Sequence, residues 1–383
     1  MTYIHELPDW PDFTWDAQVL ARALSAVRHR QGRHLGRMEA LGFELRTEAS
    51  VTALTEDVVK SSAIEGEELD TDEVRSSIAR MLGLDVAGLP TPGREVDGIV
   101  EVMLDATQNF ERLLTAERLY GWHAALFPTG RSGMHRITVG GWRRDEHGPM
   151  QVVSGPMGRE RIHFQAPNAD RLQCEMERYF KWFNEAPDTD PVLKAAVAHL
   201  WFVTIHPFDD GNGRIARAIA DMALSRADGS KDRFYSMSYG IEAERTDYYI
   251  RLESAQRGSL DITAWLAWFL DCLDRAVGAA DTMLASVLRK ARLWQQINTK
   301  PVTERQRRVI NRMLDHDWEG HLNTSKYARL AKCSQDTALR DIKELLERRV
   351  LLKNERGGRS TSYRLADPDA VQRPNASADS GAV

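Results

Sequence analysis

The sequence predicts a mainly α-helical chain that carries one β-hairpin and ends in a winged helix–turn–helix module. Three observations predict it. Apolar residues recur at helical spacing through most of the chain, as in Arg214–Arg226, where Ile215, Ile219, Met222 and Ala223 share one face. One stretch alternates instead, with Met150–Ser154 and Arg159–Phe164 on either side of Gly155-Pro156, the pattern of a hairpin. Toward the end, two helical patterns joined by Cys333-Ser334 precede two strand-like runs around Gly357-Gly358.

Taken in order, residues 1–93 open on a Pro- and Trp-rich stretch from Leu7 to Trp15 and continue in long helical patterns. They close in a Gly- and Pro-rich loop from Leu82 to Gly93. Residues 94–281 form a mostly helical core interrupted by the hairpin. Within it, Leu193–Ile205 reads as a buried helix, and Pro207 pushes the residue before it out of the helical region. A second helix begins at Gly211 and Gly213, which implies helix, tight loop, helix. Such a loop offers free backbone N–H groups and a positive helix end to a ligand. Residues 282–300 read as a connecting helix that stops before Pro301, and residues 301–366 as the winged module. The Pro-, Ala-, Ser- and Asp-rich residues 367–383 are expected to be a disordered tail.

Composition narrows the function. At 383 residues, 42% of them hydrophobic, the chain can bury two or three sizeable cores. No apolar run reaches the length of a membrane span, and Met1–Leu20 lacks the basic-then-apolar pattern of a signal peptide. A net charge of -5 argues against nonspecific nucleic-acid binding by the whole chain. Cys174, Cys272 and Cys333 are far apart and form no C-x-x-C pair, so neither a zinc site nor a disulfide framework is expected. A reduced, cytoplasmic compartment is the simplest reading.

The run from His206 to Arg217 (H-P-F-D-D-G-N-G-R-I-A-R) carries the chemistry. A Ser, Thr or Tyr hydroxyl is a poor nucleophile until a base takes its proton, and neutral His206 suits that work near pH 7. Asp210 is a hard oxygen ligand, suited to Mg²⁺ held between it and phosphates. Gly211 and Gly213 let backbone N–H groups approach phosphate oxygens, and Asn212 can donate its amide to the α-phosphate. Arg214 and Arg217 lie one turn apart and can reach β- and γ-oxygens with paired donors. Phe208 reads as an anchor for the loop. A calcium loop is excluded because Arg214 puts a cation where its fifth position needs an oxygen, and Ile215 replaces the required glycine. A P-loop is excluded because no G-x-x-x-x-G-K run exists.

These residues resemble the signature of the Fic family, H-x-F-x-[D/E]-G-N-G-R-x-x-R, at every specified position. The resemblance implies transfer of a nucleoside monophosphate, usually AMP from ATP, to a hydroxyl of a protein target, with Mg²⁺. The Doc-like branch of that family transfers phosphate and carries lysine where this chain has Gly213, so nucleotidyl transfer is the expectation. Ser61-Ser-Ala-Ile-Glu65-Gly66 resembles the family's [S/T]-x-x-x-E-[G/N] inhibitory motif, which implies that Glu65 pairs with Arg217 and keeps ATP in an unproductive pose. Whether the same carboxylate also aligns a water for removal of AMP stays open. The hairpin resembles the family's flap, which captures a target segment as an added strand, here through Arg159, Arg161, Ile162, His163 and Phe164. Tyr248 and Tyr249 match a pattern whose second tyrosine lies near the adenine, while Gln256 stands at a nearby position that is often asparagine. A homodimer is the expected assembly, from the resemblance and the prevalence of two-fold symmetry.

In residues 301–366, Thr303 begins a helix with Val309, Ile310 and Met313 on one face, and Ser334 is placed to cap the helix from Gln335 to Arg348. The basic side chains Lys326, Arg329, Lys332, Arg340, Lys343, Arg348, Arg349, Arg356, Arg359 and Arg364 run against the chain's acidic balance. They suit phosphate contacts with DNA, the last helix entering the major groove. A DNA-binding regulator whose Fic-like core only senses nucleotide is therefore the rival to an enzyme. The intact His206 favours the enzyme, because a sensor has no need of a base.

Overall fold

Asp16 starts the first long helix, its carboxylate accepting the Gln18 N–H at 2.8 Å, and α1 runs over Ala17–Glu39. The computed structural model describes residues 2–366 except 86–88, 147, 156–158, 160, 186–188, 298–301, 315–317, 319 and 355–360. It contains α2 (Phe43–Ile64), α3 (Thr71–Met81), α4 (Arg94–Gln108) and α5 (Ala116–Leu126). Two short hairpins follow: β1 (Arg131–Ser132) with β2 (His135–Arg136), then β3 (Gln151–Ser154) with β4 (Arg161–Gln165). The helices resume with α6 (Leu172–Asn184), α7 (Pro191–Ile205), α8 (Asn212–Asp228), α9 (Met237–Ala243), α10 (Arg245–Gln256) and α11 (Thr263–Ile297). The mainly α reading of the sequence is the observed class. The chain divides into two units, Met1–Ala280 and Asp281–Val383, at a point within α11. Residues 1–93 and the core expected over 94–281, except its last residue, therefore fall in one unit.

The centre of the first unit is the α7–α8 pair. Asp190 caps α7 by accepting the Val192 N–H at 2.8 Å, and Pro191 takes the first turn, where its missing N–H costs nothing. In α7, Val192, Leu193 and every residue from Ala195 to Ile205 are buried. In α8 the apolar face expected from Ile215, Ile219, Met222 and Ala223 is buried, and so are Arg214, Arg217 and Asp221 on its other sides. A helix covered all round can hold charges only if each is paired. The site takes its arginines from this helix.

Gly98 lets α4 cross α5 at contact distance: a Cβ added there would lie 1.9 Å from the Ala125 carbonyl oxygen. A backbone atom cannot give way as a side chain would. Gly98→Ala is expected to destabilise the first unit by about 1–3 kcal/mol, the usual cost of overpacking. Denaturant unfolding measures it, and an unchanged midpoint would contradict the close crossing.

The second unit has its own core. It contains α12 (Glu304–Leu314), α13 (Thr324–Ala331), α14 (Gln335–Glu347) and an antiparallel pair, β5 (Leu351–Lys353) with β6 (Tyr363–Leu365). Val309, Ile310, Tyr327, Ile342, Leu345 and Leu351 pack together in it. Thr303 caps rather than begins α12, its hydroxyl accepting the Gln306 N–H at 3.3 Å. Ser334 caps α14 as its sequence position implies, accepting from the Thr337 N–H at 3.3 Å. The Gly357-Gly358 turn, Arg356, Arg359 and the expected tail over 367–383 lie outside the described residues.

Candidate active site

The loop between α7 and α8 is held by three devices. His206 ends α7 in the left-handed region, at φ 53° and ψ 57°. Pro207 alone would have made it extended. The left-handed turn instead caps the helix and aims the chain back toward α8, a conformation that a non-glycine residue holds only when its surroundings impose it. Arg143 imposes it: its Nε donates to the His206 carbonyl at 2.8 Å and its backbone N–H to the Pro207 carbonyl at 2.9 Å. The same buried guanidinium reaches Asp145 at 2.5 Å and the Pro167 carbonyl at 2.5 Å.

Asn212 closes the loop on itself. Its Oδ1 accepts the Phe208 N–H at 3.0 Å and its Nδ2 donates to the Phe208 carbonyl at 2.8 Å. The amide expected to meet an α-phosphate is thus engaged in shaping the loop. Phe208 is fully buried and stacks on His123 with centroids 4.2 Å apart, the anchor its sequence position implies. Gly211 adopts φ 78°, and a Cβ there would come within 2.8 Å of the Phe127 ring. Conformation and space both call for glycine.

His206 Nδ1 lies 3.2 Å from the Val203 carbonyl. A carbonyl oxygen can only accept, so the proton sits on Nδ1 and Nε2 keeps its lone pair. Burial lowers the imidazole pKa to about 4, with the Val203 carbonyl opposing the shift and Arg143 adding to it. At pH 7 the ring is therefore neutral. Four residues on, Asp210 is set by its neighbours: Ser132 donates to its Oδ2, Gly211 N–H to its Oδ1 at 2.6 Å, and His123 Nε2 to its carbonyl at 3.2 Å. No group of three or more His, Cys, Asp or Glu side chains is placed to hold a metal among the described residues. Asp210 is the carboxylate that would meet a Mg²⁺ ion, with phosphates and water completing the oxygen shell that ion prefers.

Arg214 and Arg217 of α8 face the end of α2, and each meets a carboxylate there. Arg217 donates from Nε to Ser61 Oγ at 2.9 Å, and from Nη2 to the Ser61 carbonyl at 3.0 Å and to Glu65 Oε1 at 2.7 Å. Burial disfavours its charge, but Glu65 and the Tyr248 hydroxyl outweigh that, and its pKa is raised. Arg214 meets Glu67, with Nη1 at 2.9 and 3.2 Å from the two oxygens, and lies over the Phe127 ring. Gly213 sits beneath the Glu65 carboxylate: a Cβ there would lie 2.3 Å from Oε1.

The hairpin of β3 and β4 pairs Val152 with Phe164 and Val153 with Ile162, with a bulge between Val152 and Val153. Its β4 strand is anchored to the body. His163 Nδ1 and Arg161 bind Glu253 of α10 at 2.7 and 3.0 Å. Arg257 donates to the His163 and Ile162 carbonyls at 2.9 and 2.7 Å, and His5 Nε2 to the Gln165 carbonyl at 2.8 Å. Phe164 is buried, and Arg159 is exposed at the turn. The residues expected to take a target strand are thus largely engaged with the protein itself. Among the described residues no further strand pairs with β3, so its outer edge is open in this two-stranded sheet.

The two tyrosines part company. Tyr248 is buried against His199, its hydroxyl 2.9 Å from Nε2, and belongs to the core. Tyr249 is 41% exposed and its hydroxyl reaches the Ile64 carbonyl at 3.3 Å, beside the carboxylates. Gln256 is buried and donates to the Val203 carbonyl at 3.4 Å. Sequence reasoning missed Arg143, Ser132 and Glu67 as parts of the site. Glu67 alone had a signal, two residues past Glu65 in an acidic turn.

Residues 113–224 match the family described as "Fic/DOC family". The chain carries a Fic domain. The match spans α5 to most of α8 and includes the whole loop, while residues 3–84 match a "Domain of unknown function (DUF4172)" that includes Glu65. The chain is 26% identical over 236 residues to protein adenylyltransferase fic-1 of Caenorhabditis elegans, covering 60% of this chain and 42% of that protein. It is 33% identical over 113 residues to protein adenylyltransferase Fic of Drosophila ananassae, covering 29% and 21%. The chain thus spans less than half the length of these curated relatives. A crystal structure of a Fic family protein from Desulfovibrio desulfuricans G20 is similar with a TM-score of 0.53 at 21% identity, over 93% of this chain and 98% of that one, which bears on the fold alone.

Proposed function

We propose that this protein is an adenylyltransferase that moves AMP from ATP to a Ser, Thr or Tyr hydroxyl of a protein target and is restrained by Glu65. One observation carries the reading: a neutral imidazole with its Nε2 lone pair intact lies on the same tight loop that opens α8 with Gly211, Gly213, Arg214 and Arg217. A base and a phosphate cradle in one loop suit attack on a phosphorus atom. The target oxygen bonds to the α-phosphorus, its proton passes to His206 Nε2, and the bond to the bridging oxygen breaks with that electron pair leaving on pyrophosphate. Arg214 and Arg217 would hold the β- and γ-oxygens, once freed from Glu67 and Glu65. Mg²⁺, held by Asp210, would neutralise charge building on the leaving group. The names of the relatives support the same activity.

The second unit supports an accompanying role. Three helices and a strand pair in the order of a winged helix–turn–helix, with Arg329, Lys332, Arg340 and Lys343 exposed on α13, on α14 and between them, suit contacts with DNA phosphates. Among the described residues no helix is long and apolar enough to cross a membrane.

The test is covalent labelling. Wild-type protein and the Glu65→Gly variant, incubated with Mg²⁺ and ATP labelled on the α-phosphate, are expected to transfer label to protein, strongly in the variant. Absence of protein-bound label in both, with ATP bound by both, would reject transfer and leave nucleotide sensing.

A further inference from the structure

The chain leaves α2 through a left-handed glycine. Glu65 caps the helix, Gly66 takes φ 86°, its N–H bonds to the Ala63 carbonyl at 3.0 Å, and the Glu67 N–H reaches back to the Ser62 carbonyl at 3.0 Å. This is the closing geometry that glycine favours after a helix. Its consequence is a reversal that aims two carboxylates, two residues apart, at two arginines one turn apart on α8. Glu65 takes Arg217 and Glu67 takes Arg214.

We propose that Glu67 is a second restraining carboxylate, which occupies Arg214 as Glu65 occupies Arg217, so that a nucleotide must displace both. The idea rests on the nucleotide-binding reading given above. Arg214 is 7% exposed, and its Nε is buried without a hydrogen-bond partner among the described residues. A buried cation with an idle donor has capacity for a further acceptor, such as a phosphate oxygen. Glu67 is the weaker lock of the two: its side chain is 47% exposed against 30% for Glu65, so water and salt screen it more. The two locks should therefore differ in kind, one deep and salt-resistant, the other shallow and salt-sensitive.

Isothermal titration with ATP and Mg²⁺ of the full chain, as wild type, Glu67→Gln, Glu65→Gly and the double variant, tests this. Glu68→Gln serves as the control for general charge, because Glu68 is an exposed carboxylate in the same turn. Glu67→Gln is expected to tighten ATP binding about 2–5-fold at low salt, the range of an exposed ion pair, and the gain should fade toward about 0.5 M salt. The same factor should separate the double variant from Glu65→Gly. Three results would overturn the proposal. Glu67→Gln could bind like the wild type while Glu65→Gly binds tighter, which spares the reading of Glu65. Glu68→Gln could tighten binding equally, which reduces the effect to net charge. No variant could bind ATP, which removes the nucleotide site as well.

Discussion

Replacing His206 by alanine is expected to lower AMP transfer by about 10²–10⁴-fold, the range of a positioned acid–base group, while ATP affinity stays unchanged. The two halves separate because the imidazole and the phosphate cradle are held independently. Arg143 grips the backbone carbonyl of residue 206, and Asn212 closes the loop on Phe208, so neither depends on the ring. Transfer kinetics and a nucleotide titration on the same sample measure both. The pH profile adds a check. With the pKa lowered to about 4 from 6.5, the base is already unprotonated at mildly acidic pH. The acid limb of kcat/KM should then fall near 4 and not near 6.5. The linkage to stability has a definite sign. Between those values the unfolded chain binds the proton and the folded one does not. This group's contribution is therefore present above 6.5 and lost as pH falls toward 4. Transfer by His206→Ala at the wild-type rate would remove the base from the mechanism.

Much of this site was legible because its residues are contiguous. Helix, loop, helix and the placement of Phe208, Gly211, Arg214 and Arg217 follow from a twelve-residue run whose spacing constrains its geometry. The left-handed His206 was not legible, since Pro207 argues for an extended residue and the deciding contact, Arg143, lies 63 positions away. The same holds for the hairpin of β3 and β4. Alternation around Gly155-Pro156 gives a hairpin, yet which strand is open depends on Glu253, Arg257 and His5, none of them near it in sequence. Adjacent tyrosines gave no sign that Tyr248 would be buried and Tyr249 left at the surface. Least visible was the buried cluster behind α8. Arg233 pairs with Asp221 at 2.6 Å, and Asp57 of α2 accepts from Ser236 at 2.6 Å. Burial, with Asp57 close by, pushes the Asp221 carboxyl well above its ordinary pKa. Nothing in the local pattern of a helix says that a charge on it will be covered by residues distant in sequence.

Glu65→Gly should raise AMP transfer by about 10–100-fold, since a hydrogen bond to a charged group is worth about 1.5–3 kcal/mol and each 1.4 kcal/mol is tenfold. It should also destabilise the protein. Arg217 is 2% exposed, and losing Glu65 Oε1 at 2.7 Å leaves its cation with neutral acceptors such as the Ser61 hydroxyl and carbonyl. A lost partner for a buried charge costs about 1–3 kcal/mol, which lowers Tm by several degrees in a unit of this size. The two effects share a cause, and that makes the decisive experiment thermal. Saturating ATP with Mg²⁺ should return the variant close to the wild-type Tm, because phosphate oxygens replace the missing carboxylate, and ligand at about 100 times Kd adds about 2.7 kcal/mol. The wild type should gain less, since there the nucleotide must first displace Glu65. If the variant melts early and ATP does not restore it, Arg217 holds the helices together and does not meet the nucleotide. Glu65 would then be a structural partner of Arg217, and any restraint on transfer would have to come from elsewhere.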